Sequence, residues 1–108
     1  MTRLQHLLFA ATLVASATAA SRPPSGFYQL MAEAMQRMMG AMHVRPTGSV
    51  DRDFAAMMIP HHQGAIDMAK VVLQYGKDDK VKSWANQIIA AQEKEIAEMQ
   101  DWLKAHGE

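Results

Sequence analysis

The chain has no cysteine. Disulfide stapling, thiolate zinc sites and cysteine nucleophiles are therefore excluded, and a domain this small must hold together by helix packing, oligomerisation or a bound metal. Neither sign of charge is in excess, with 11 Lys and Arg against 11 Asp and Glu. A nucleic-acid module normally carries a basic surplus, so nucleic acid is not an expected partner. No long hydrophobic run is present either. The most apolar stretch, Leu7 to Ala15, is shorter than the roughly 20 residues a membrane-spanning helix needs. Glycine-rich phosphate loops, strand signals and internal repeats are missing as well.

The first 20 residues, MTRLQHLLFAATLVASATAA, combine a basic start at Arg3, the short apolar run and Ala17-Thr18-Ala19. That is the layout of a secretory leader with an A-x-A cleavage site. Cleavage after Ala19 or Ala20 is expected, which leaves fewer than 90 of the 108 residues, periplasmic or secreted and with no membrane segment. Residues 21–26 (SRPPSG) read as a linker, and 27–106 as a single helical domain.

Methionine is abundant where cysteine is absent: nine of the ten lie beyond the leader. Met is a flexible filler that specifies packing poorly, so this density is a weak choice for structure alone. In the segment from Phe27 to His43, Met31, Met35, Met38, Met39 and Met42 form one helical stripe, and Pro46 and Gly48 end it. A second helix is expected from an N-cap at Ser49 to about Tyr75, with Gly76 as its stop. On its wheel, Phe54, Met57, Met58, Ala65, Met68 and Val72 lie within about 60° of His61. His62 stands at the flank of that face, and Ile59 and Ile66 form a second apolar strip suited to another helix or subunit. Pro60 either kinks this helix or starts it, and the apolar periodicity on both sides favours the kink. Gly64 adds local freedom.

A third helix is expected from Asp78 or Asp79 to about Ala105, striped by Val81, Trp84, Ile88, Ile96, Met99 and Leu103. Gln92 and Glu95 interrupt that stripe, and the histidines of the facing helix are suitable partners for them; solvation at the stripe's edge is the alternative. The short turn at Gly76 to Asp78 makes helices two and three an antiparallel hairpin. The architecture expected is all-α: this hairpin plus the Met-rich N-terminal helix.

Thioether sulfur is a soft ligand suited to Cu(I) and Ag(I), and imidazole also binds copper. The candidate ligands are Met57, Met58, His61, His62 and Met68 on helix two, Met99 on helix three, and Met35, Met38, Met39 and Met42 on helix one. Met42 and His43 form a more exposed pair at the end of helix one. Zinc, calcium and magnesium fit this donor set less well. Catalysis is not expected. Di-iron carboxylate bundles need paired Glu-x-x-His motifs, which are missing, and the serines have no triad context. Copper- or iron-dependent redox turnover is a weaker reading.

The run VDRDFAAMMIPHHQGAIDMAKVVLQYG with IIAAQEKEIAEMQDWL resembles the bacterial domain-of-unknown-function family 305. Asp53-Phe54, Met58, His61-His62, Ala65, Met68, Gln92, Glu95 and Met99 stand in that family's order and spacing. Copper-binding periplasmic proteins of the CopM type belong to it. The resemblance implies a ferritin-like helical bundle, completed by a homodimer where one chain is too short. It also implies a site cored by Met58, His61, His62, Met68 and Met99, with the Met31 to Met42 stripe as an accessory source of sulfur. The function expected is an exported Cu(I)-binding protein, with Ag(I) or Cu(II) as alternative ions, that buffers copper or exchanges it with a donor or acceptor protein, contributing to copper tolerance. The competing expectation is a helical interaction module whose Met-rich face grips an apolar partner.

Overall fold

A computed structural model describes residues 25–107, and the leader with most of the expected linker lies outside them. The described residues fold into α1 (Ser25–Ala41), α2 (Val50–Tyr75) and α3 (Asp79–Ala105). No strand occurs among them, and the all-α class follows directly. α1 takes in Ser25 and Gly26, ahead of the expected Phe27, and stops at Ala41 rather than His43.

Local chemistry sets the other boundaries. The Ser49 hydroxyl accepts a bond from the Arg52 backbone N–H (3.3 Å) and caps α2, satisfying one of the unpaired donors of its first turn. Asp53 accepts from both the backbone N–H and the hydroxyl of Thr47 (3.1 and 2.6 Å), which ties the preceding loop to α2. Gly48 adopts φ +88° there, a region glycine enters freely. α2 runs unbroken through Pro60, so this proline does not start a helix. It leaves the Ala56 carbonyl without its helical partner. Gly76 ends α2 in extended backbone (φ −69°, ψ 148°) rather than in the left-handed turn of a glycine C′. Asp78 then caps α3 by accepting from the Val81 N–H at 2.9 Å. Asp78→Ala is expected to lower stability by about 1 kcal/mol, read as a lower urea midpoint with an unchanged m-value.

α2 is the middle of the assembly. α1 packs against one side of it and α3 against another, and among the described residues α1 and α3 do not meet. The most buried residues, at 7% exposure or less, are Ala34, Ala55, Ala69 and Ala85 with Ile66 and Leu103. Such small side chains let helix axes approach closely. The Ile66 strip is thus buried inside the three-helix unit. Gly64 has a different role from the expected one: a Cβ there would stand 2.7 Å from Met38 Cβ. Its lack of a side chain admits α1 rather than loosening α2. Phe27 stacks edge-on against Tyr75 (6.0 Å) at one end of this antiparallel seam, and Arg37 reaches Asp67 (3.8 Å) near the other.

Candidate metal centre

The two adjacent histidines lie 100° apart on the helical wheel, and the structure separates their roles. His62 points into the α2–α3 seam and is largely buried, whereas His61 is exposed. Their rings sit 5.9 Å apart, edge to face. His62 Nε2 bonds to the Glu95 carboxylate of α3, so one of the two polar residues interrupting the α3 stripe has found its histidine. A carboxylate only accepts, so Nε2 carries the proton and donates. In the neutral ring Nδ1 is then a bare lone pair. That atom is buried and has no hydrogen-bond partner.

The His62–Glu95 contact fixes the register of the antiparallel seam. Met58 precedes His62 by one turn and Met99 follows Glu95 by one turn, so both stand at the next level along the hairpin. Both are half-buried. Met99 lines a groove with Phe54, Ala55 and Trp102. Met58, His62, Glu95 and Met99 are therefore gathered on two facing turns. Among the described residues no three His, Asp or Glu side chains converge on a common point.

The remaining candidates are placed elsewhere. Met68 lies about 15 Å along α2 from Met58 at 1.5 Å per residue, in a separate apolar groove beside Trp84 and Ile88. Met57 is half-buried next to His61. Met38 packs over Gly64, which puts Met42, one turn on, level with Pro60. Met35 and Met39 are exposed, because α1 turns Ala34 and Met38 toward α2 and leaves one flank of its Met stripe outside, while Met31, Met38 and Met42 are half-buried. His43 is exposed beyond the end of α1. Sequence reasoning overlooked Arg52, whose Nε is buried without a partner. A long cationic side chain inside a capping turn carries no signal that distinguishes it from a solvated one.

A family model described as a domain of unknown function, DUF305, matches residues 51–108, that is α2, α3 and the turn between them. An uncharacterized protein of Acanthamoeba polyphaga mimivirus is 42% identical over 53 residues, which cover 49% of this chain and 35% of that protein. The chain thus matches only about a third of that relative's length.

Proposed function

The chain belongs to the DUF305 family, and from the site it builds on the two family helices we propose that it binds Cu(I), and by the same ligand softness Ag(I), as cargo. The observation that carries this is His62. Its ring is clamped through Nε2 by a carboxylate while its buried Nδ1 lone pair has nothing to bond. A carboxylate on the far nitrogen is the arrangement that orients metal-binding imidazoles and raises their basicity. The Met58 and Met99 thioethers supply the soft, neutral donors that Cu(I) prefers to Zn(II). His61, exposed beside the site, is suited to receive the ion from solvent or from a donor protein and pass it inward. A site with thioether and imidazole ligands needs no thiol, which suits an oxidising compartment, and buffering of periplasmic copper is the role that agrees with the expected leader.

The test is an anaerobic Cu(I) titration of the purified protein against a competing chromophoric chelator, with Zn(II) as the control metal. Uptake of Cu(I) in preference to Zn(II), lost in the double variant His61→Ala with His62→Ala, is the expected result. A protein that never competes with the chelator overturns the reading. Affinity is also expected to fall on acidification, since an imidazolium cannot ligate while a thioether is unaffected. A pH-independent affinity would assign the site to sulfur alone.

A further inference from the structure

Met68 stands outside the copper site, and the groove it lines between α2 and α3 has a chemistry of its own. Every residue lining that groove is apolar. Ala69 and Ala85, both at 5% exposure or less, cut it into the seam, because a small side chain leaves space where a larger one would fill it. Met68 on α2 and Trp84 and Ile88 on α3 stand around this trench. Trp84 is 51% exposed and Ile88 40%, so apolar surface is left in water along it, which an apolar ligand would cover favourably. From Ala65 to Val72 the trench follows α2 for roughly 10 Å at 1.5 Å per residue. Its volume is about 280 Å³. A methylene is close in size to a water, whose share of liquid volume is roughly 30 Å³, so the trench takes a chain of roughly nine carbons.

Charge distinguishes the two ends. Lys80, one turn before Trp84, holds its ammonium 5.7 Å from the centre of the Trp84 ring. Among the described residues no carboxylate pairs with it. At the opposite end the His62–Glu95 contact sets the register, which puts the half-buried Gln92 level with Ala65. The trench is therefore apolar along its length, cationic at the end beside the α2–α3 turn, and bounded at the other. We propose that it binds a free medium-chain fatty acid, with the tail along the trench and the carboxylate on Lys80. A lone ammonium is a point charge that suits a monoanionic head. A bilayer is a poorer match, since the trench holds one short chain and offers it one cation. His61 lies a full turn beyond Ala65, away from the Lys80 end, so the occupant leaves it open to solvent. The proposal stands independently of copper.

The test is calorimetric titration of the purified protein with a series of straight-chain fatty acids, each below its micelle concentration, with a copper chelator present. One molecule is expected to bind per chain. Affinity should rise about two- to fourfold per methylene, as burial of each methylene allows, and level off beyond about ten carbons, when the trench is full. This series needs no variant. Decanol, which lacks the charge, should bind roughly threefold more weakly than decanoate, the effect of one exposed ion pair, and Lys80→Gln should erase that difference. Ile88→Glu sets an unpaired carboxylate in the apolar wall and should weaken decanoate at least tenfold, with unchanged helical circular dichroism. Absence of saturable decanoate binding, affinity that keeps climbing to fourteen carbons, or equal binding of decanol and decanoate would each overturn the proposal. So would binding to phosphatidylglycerol vesicles without binding of the free acid, which would assign the groove to a membrane surface.

Discussion

Replacing His62 with alanine is expected to weaken Cu(I) binding at least a hundredfold, about 2.7 kcal/mol, whereas His61→Ala lowers affinity by no more than about tenfold, or 1.4 kcal/mol. The difference follows from burial. His62 offers an oriented, desolvated lone pair, while His61 is exposed and must be immobilised on binding. Glu95 refines the test. Glu95→Ala removes the clamp on Nε2 and should lower affinity by about 10–100-fold, as loss of a group that orients a metal ligand does. Glu95→Gln keeps a carbonyl that accepts from Nε2 and should retain most of the affinity. If glutamine were as damaging as alanine, the carboxylate itself would be the ligand and the assignment of Nδ1 would be wrong. Met58→Leu and Met99→Leu change little volume, so their effect isolates sulfur. Unchanged affinity in both would leave His62 without the soft partners on which the preference for Cu(I) depends.

These distinctions were only partly legible in the sequence. Ser49 and the Asp78–Asp79 pair announce their helices because a cap is a local bargain between a side chain and the next turn; Ser49 caps α2 as expected, and of the two aspartates Asp78 is the cap and Asp79 the first helical residue. Glu95 was visible as a polar break in an apolar stripe, and the break has a physical cause in His62. Which of two neighbouring histidines faces α3 was not visible. The periodicity of α2 gives an angle but not the direction from which another helix arrives. The α1 stripe misleads for the same reason. Five methionines at helical spacing look like a buried face, yet the row through Ala34 and Met38 is the one that docks, and Met35 and Met39 are left on the surface. Small residues that permit close approach make a weaker pattern than large ones that fill space, so the seam is hidden in the residues that look least informative.

Gly64 is the sharpest case of a seam written in an absent side chain, and it yields a sign that helix propensity alone gets wrong. By propensity, Gly64→Ala in the interior of α2 stabilises by about 1 kcal/mol. By packing, the new Cβ meets Met38 Cβ at 2.7 Å, closer than van der Waals contact allows, and its other near neighbours belong to the same side chain. Overpacking of this kind costs about 1–3 kcal/mol, because relief requires the helices to move apart along a seam that also holds Phe27 against Tyr75. The packing term wins, and Gly64→Ala is expected to destabilise. The loss should be local. α1 touches α2 and not α3, so it can lift away while the α2–α3 hairpin and the His62–Glu95 contact persist. Hydrogen exchange should therefore accelerate in residues 25–41 well before it does in residues 79–105, and Gly64→Leu should magnify the contrast. Met38→Ala in the Gly64→Ala background removes the Met38 Cγ and Sδ contacts but keeps Cβ, so it should restore only part of the protection. A net gain in stability from Gly64→Ala would mean that α1 does not approach α2 this closely in solution. Cu(I) affinity should change little in Gly64→Ala, since the proposed ligands Met58, His62 and Met99 sit on the two helices that stay paired; a large loss would instead make α1 a contributor of sulfur to the site.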